Sequence, residues 1–124
     1  MTKLVRKYSS DDLKFEYGLD CTRMTPWDGI NPPFGGAYCV VKANTKSLEH
    51  VNEPADEEEM FICISGTATV FIGTESFAAE KGDLFVMPKG MSHYVLNETG
   101  EDFHYYALWW NRGLADSYIA GNDA

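Results

Sequence analysis

From residue 35 onward, apolar and β-favouring residues gather in short runs broken at regular intervals. The runs fall at residues 37–42, 60–64, 67–72, 76–79, 83–87, 93–96 and 103–110. Ser65-Gly66, Gly73-Thr74, Lys81-Gly82, Pro88-Lys89-Gly90 and Thr99-Gly100 separate several of them. Branched and aromatic side chains suit a pleated surface, and Gly, Pro, Ser and Thr suit the turns between strands. Many short strands at this spacing predict an all-β sandwich or barrel. A helical period shows only in the tail, at residues 113–119.

Residues 1–34 have a different texture. A charged start runs into the breakers Thr25-Pro26-Trp27-Asp28-Gly29 and Asn31-Pro32-Pro33. The pattern divides the chain into an irregular N-terminal strap at 1–34 that covers or extends the barrel, a barrel at 35–112 and a tail at 113–124. Residues 27–34 are either a flap over the barrel mouth or part of an ordinary strap.

Two runs depart from the alternation expected of a barrel. Met60-Phe61-Ile62-Cys63-Ile64 and Leu84-Phe85-Val86-Met87 are apolar at every position, whereas a barrel strand ordinarily keeps one polar face. Either a second subunit or the strap must cover their outer side, and a homodimer is the expectation.

Composition narrows the classes. The 124 residues are the size of one domain, with enough apolar content for a core that needs no disulfide. A net charge of −9 repels phosphate backbones, so no nucleic-acid partner is expected. No apolar run reaches the roughly 20 residues of a membrane span, and the start lacks a signal-like stretch. The expected setting is cytoplasmic, with no membrane partner. Cys21, Cys39 and Cys63 form no CxxC, which predicts free buried thiols.

The chemistry concentrates in few residues. The three histidines are His50, His93 and His104. His50 precedes the acidic stretch 53–59, which runs directly into an apolar strand. On extended chain His50 and Asn52 share a face, as do Glu57 and Glu59. A glutamate such as Glu59 at the base of an apolar strand is costly to bury alone, and a metal ion neutralises it. Imidazole with carboxylate is a ligand set for zinc, iron, nickel or manganese. His104, set among Phe103, Tyr105 and Tyr106, reads as a packed residue. Tyr94, Tyr106, Trp109 and Trp110 line a pocket or fill the core, and Cys63 points inward beside Glu59 and Phe61.

At Gly82, Pro88, Gly90, His93 and Asn97 the chain resembles the second signature of the cupins, without a gap. Glu59 and Gly66 match the second half of the first signature, His50 matches its first histidine, and Asn44 stands at its leading glycine. Two departures stand out: Asn52 occupies the second-histidine position, and the gap from there to Glu59 is two residues longer than usual. The resemblance implies a single cupin-type β-barrel (a double-stranded β-helix or jelly roll). It also implies one divalent ion, zinc first, held by His50, Glu59 and His93. It leaves the fourth place to Asn52, a carboxylate of Glu53 or Glu57, or water.

A narrower likeness, carried by His50, the acidic cluster and Trp109-Trp110-Asn111, is to the cupin module of hydrazine synthetases. It implies N–N bond formation beside a separate synthetase-like partner. The functional expectation is a metal-dependent enzyme for a small polar metabolite, such as an amino-acid derivative. The alternative is a metal-bearing small-molecule binding or sensor module without turnover.

Overall fold

The computed structural model describes residues 4–25 and 32–122. A short 3-10 turn at Ser10–Asp12 precedes the first strands, β1 (Lys14–Glu16), β2 (Leu19–Arg23) and β3 (Gly35–Val41). Then come β4 (Thr45–Lys46), β5 (Glu57–Ser65), β6 (Ala68–Ile72), β7 (Glu75–Ala79), β8 (Leu84–Met87), β9 (His93–Asn97) and β10 (Phe103–Asn111). The helix α1 (Arg112–Asn122) closes the described chain, in the tail where a helical period was expected.

The strands form two antiparallel sheets, one in the order β1-β2-β3-β10-β5-β8 and the other β4-β9-β6-β7. Strict alternation positions the core between them. His93, Val95 and Asn97 of β9 are buried, as are Phe103, Tyr105 and Ala107 of β10, while the residues between them lie half-exposed on the outer faces. Val41, Phe61, Val70, Ile72 and Met87 complete the packing.

The turn residues of the motifs serve this architecture. Gly82 and Gly90 hold positive φ angles of 91° and 75°, and Asn44 takes the left-handed turn at 59°. Asn97 is fully buried and acts as a backbone clasp. Its Nδ2 donates to the Val41 carbonyl at 2.9 Å and the Glu101 carbonyl at 2.7 Å. Its Oδ1 accepts from the Thr99 N–H at 3.0 Å and hydroxyl at 2.7 Å. Truncating it strands buried polar groups at a cost of about 1–3 kcal/mol.

The strap departs from the irregular segment expected of it. β1 and β2 form a hairpin through Tyr17 and Gly18, both at positive φ, and β2 pairs with β3. The strap therefore extends the larger sheet. Its earlier part runs over the outside of β3 and β10, where the Tyr8 ring lies 4.3 Å from that of Tyr38. The described part of the strap leaves the outer face of β5 and β8 open: Leu84 and Val86 are 61% and 56% exposed.

Candidate functional site

A cavity of about 330 Å³ gathers every candidate metal ligand singled out in the sequence. β9 begins at its wall with His93, and β5 contributes Glu59 two residues into the strand. His50 lies outside the named strands, but it is held opposite His93 by a reciprocal backbone pair. The His50 N–H donates to the His93 carbonyl at 3.3 Å, and the His93 N–H to the His50 carbonyl at 3.0 Å. The rings sit 4.7 Å apart, and the Tyr17 ring lies at the same distance from that of His50.

Each imidazole has its Nδ1 against a carbonyl two residues back. His50 Nδ1 lies 3.0 Å from the Leu48 oxygen and His93 Nδ1 lies 3.3 Å from the Met91 oxygen. A carbonyl only accepts, so these contacts place the proton on Nδ1 and leave Nε2 as the lone-pair donor. That is the arrangement by which a protein orients a metal-binding histidine.

His93 Nε2, however, stands 3.1 Å from Glu59 Oε1, with both side chains buried. The contact between Nε2 and the carboxyl therefore needs either a proton shared between the two groups or a cation bound to both. Two ligands of a tetrahedral zinc with bonds of about 2.0–2.1 Å lie roughly 3.3 Å apart, so this pair is already at ligand spacing. Among the described residues no three histidine, cysteine, aspartate or glutamate side chains stand together as a ready-made ion cage. The chemistry of the donor set, two imidazoles and a carboxyl on one cavity, fits an ion.

Asn52, Glu53 and Glu57 line the same cavity, so the inserted residues before Glu59 do not swing position 52 away from it. Burial, followed by the charges of Glu59 and Asp56, pushes the Glu57 carboxyl above its ordinary value. His104 stays on the outer face with Nδ1 2.8 Å from the Tyr38 hydroxyl, the packed role expected of it.

The aromatic candidates divide. Trp109 lines the cavity, whereas Tyr94 stacks on Phe71 at 4.5 Å and Tyr106 packs edge-on against Tyr38 at 5.0 Å, both on outer faces. Trp110 donates its indole N–H to Glu58 at 3.2 Å. Cys63 is buried in the core as expected. The expected flap at 27–34 falls mainly on residues 26–31, which lie outside the described ones.

Some of the cavity wall escaped the sequence reading. Arg23 pairs with Glu16 at the rim and holds that carboxyl below its usual value, while its guanidinium sits 5.6 Å from the Trp109 ring centre. Gly35 makes room for the same indole, since a Cβ there would run into Trp109 Nε1. Cys21 and Cys39 form another wall. Burial, reinforced by Glu16, pushes the Cys21 thiol up to about 12, and burial raises Cys39 well above the ordinary thiol value. No motif spacing marks these groups, because the hairpin that delivers Glu16, Cys21 and Arg23 was itself unforeseen.

Comparison with known proteins agrees with this architecture. Residues 37–110 match the family model described as the cupin domain. The plu4264 protein of Photorhabdus luminescens is 39% identical, with a TM-score of 0.83 over 98% of this chain and 99% of that one. A Cupin 2 conserved barrel domain protein from Salinispora arenicola is 30% identical, with a TM-score of 0.81 over 97% and 98% of the two chains. A predicted oxalate decarboxylase from Thermotoga maritima shares the fold at 15% identity, with a TM-score of 0.66 over 75% and 80%. No curated protein matches the chain in sequence. None of these names bears on the likeness to hydrazine synthetases. With a family match over most of its length and two full-length structural relatives at or above 30% identity, the chain belongs to the cupin family.

Proposed function

We propose that the protein is a metal-dependent cupin enzyme acting on a small polar metabolite, with one divalent ion, zinc first, at His50, Glu59 and His93. One observation carries the reading: the buried His93 ring, oriented by the Met91 carbonyl, turns its Nε2 to the Glu59 carboxyl at 3.1 Å, a donor pair and spacing that suit a bound cation. When bound, the ion would supply Lewis acidity to polarise a carbonyl or activate an amine.

The chain's own residues supply the rest. The Leu48 and Met91 carbonyls fix the two imidazoles with Nε2 available, and Phe61 packs edge-on to His93 at 6.0 Å to keep water from that ring. Asn52, Glu53 and Glu57 line the same cavity, which supports them as candidates for a fourth donor or a substrate-orienting group. Glu16 and Arg23 at the rim offer opposite charges, which suits the ammonium and carboxylate of an amino-acid derivative. N–N bond formation beside a synthetase-like partner rests on motif order alone, and the cavity adds no observation that favours it.

The test is elemental analysis of protein purified without chelator. The wild type is expected to carry up to about one equivalent of divalent ion per chain, as a single mononuclear centre does. His93→Ala and Glu59→Ala are each expected to lose it. Full metal content in folded His93→Ala would overturn the assignment.

A further inference from the structure

Cys21 and Cys39 are direct register partners on β2 and β3. In an antiparallel ladder, hydrogen-bonded pairs alternate with pairs that exchange no hydrogen bonds. Met24 sets the phase here, because its N–H donates to the Gly36 carbonyl at 2.7 Å one step beyond the Arg23–Ala37 pair. Counting back, Thr22–Tyr38 is a hydrogen-bonded pair, and Arg23–Ala37 and Cys21–Cys39 are not.

In a pair of the second kind the Cα atoms approach to about 4.5 Å and side chains on the shared face converge. A disulfide accepts Cα separations of roughly 4.4–6.8 Å, so this position accommodates one without moving the backbone. Both side chains face inward and line the cavity. The row continues across the sheet as Tyr105 and then Cys63. Tyr105 therefore separates Cys63 from Cys39, leaving one cysteine couple and one isolated thiol.

We propose that Cys21 and Cys39 are a modification site, closing to a cross-strand disulfide under peroxide and reopening under a thiol reductant. One thiol attacks a peroxide oxygen, breaking the O–O bond to give a sulfenic acid and one water. The second thiol then displaces the sulfenic hydroxyl, forming the S–S bond and releasing a second water. Peroxide is thereby reduced by two electrons and the two thiols lose two hydrogens.

Both cysteines line the cavity of about 330 Å³, which gives a molecule as small as hydrogen peroxide a route to the couple. Burial keeps both thiols protonated at neutral pH, so closure is slow and answers sustained exposure. Once closed, the bond ties the β1–β2 hairpin, and with it Glu16 and Tyr17 of the cavity wall, covalently to β3. It also removes the Cys39 thiol as a partner of the buried Tyr105 hydroxyl.

The experiment exposes the reduced full-length protein to millimolar hydrogen peroxide, then unfolds it in an alkylating agent and maps the peptides by mass spectrometry. The expected product has lost two hydrogens, contains a Cys21–Cys39 linked peptide, leaves Cys63 as the alkylated thiol and reverts with dithiothreitol. Cys63→Ser is expected to close equally well, and Cys21→Ser to give no internal bond. Three alkylatable thiols after prolonged treatment, a linkage through Cys63, or over-oxidation of Cys39 without the linked peptide would each overturn the proposal. The wild-type peptide map decides the matter even if Cys21→Ser fails to fold.

Discussion

His93 and His104 show how one residue type takes two roles from strand parity alone. His93 opens β9 on an inward position and is 3% exposed, with its Nε2 against a buried carboxylate. His104 is the second residue of β10, points outward, and meets the Tyr38 hydroxyl with the Tyr8 ring beside it. A hydroxyl both donates and accepts, so the outer pair is satisfied by a neutral ring in either tautomer. The inner ring meets a carbonyl at Nδ1 and a carboxyl at Nε2, and the second contact needs a shared proton or a bound cation. The inner face is thus built around an electrostatic need, and the outer face around packing.

The outer face of β5 and β8 carries that contrast furthest, and the largest effect is expected there. Met60, Ile62 and Ile64 are half-buried, while Leu84 and Val86 on the edge strand are mostly exposed. Because the described part of the strap lies over β3 and β10 instead, a second copy of the chain is the cover we expect. Light scattering at micromolar concentration should give the mass of two chains. Leu84→Lys with Val86→Lys places like charges across a two-fold axis and is expected to weaken association by several kcal/mol, giving monomers. A wild type that is already monomeric would mean this face is solvated in the free protein, and the parity argument would then hold only for the inside.

The two faces were not equally legible in the sequence. Short β-rich runs bounded by turn residues revealed β3 and β5 to β10 to within a few residues, because branched and aromatic side chains cluster in each strand and Gly, Pro, Ser or Thr interrupt them. The turn signature Gly82-Pro88-Gly90-His93-Asn97 marked the histidine, since left-handed glycines and a proline leave a spaced imprint in the chain. β2 escaped because Leu19 and Cys21 are the only apolar side chains it turns inward, too few to establish a period. Its turn is hard to recognise because Tyr17 adopts a positive φ that Asn or Gly takes more readily. Everything delivered by that hairpin was hidden with it, including the Cys21–Cys39 pairing and the Arg23–Glu16 rim. Pairings across strands depend on register, which no single strand carries.

Asn52 sharpens the inner half of the comparison. It lines the cavity in the place where the family signature has a second histidine. Asn52→His is expected to tighten metal binding by one to two orders of magnitude, about 1.4–2.8 kcal/mol. It should also lower turnover by filling a coordination place that substrate needs. Competitive chelator titration separates this from a carboxylate ligand. If Asn52→His changes nothing while Glu53→Gln or Glu57→Gln loses affinity strongly, a carboxylate holds the fourth place and Asn52 acts on substrate alone.

The smallest effect is expected at the rim, where the inner and outer faces meet. The Arg23 guanidinium, chiefly through its hydrogen bond, holds the Glu16 carboxyl below its ordinary value of 4.5. A carboxyl whose folded value is depressed stabilises the fold above its unfolded value, and the contribution fades as pH falls through the folded value. Both side chains are substantially exposed, at 31% for Glu16 and 48% for Arg23, so solvent screening limits the pair to a few tenths of a kcal/mol. Glu16→Gln is therefore expected to melt slightly below the wild type at pH 7 in low salt, with the gap closing in acid and in molar salt. A gap that persists at pH 3 would assign Glu16 to packing against the hairpin, in which case the rim belongs with the outer face. A gap that closes on both axes would show that electrostatics governs the cavity out to its edge, where Arg23 also lies beside Trp109.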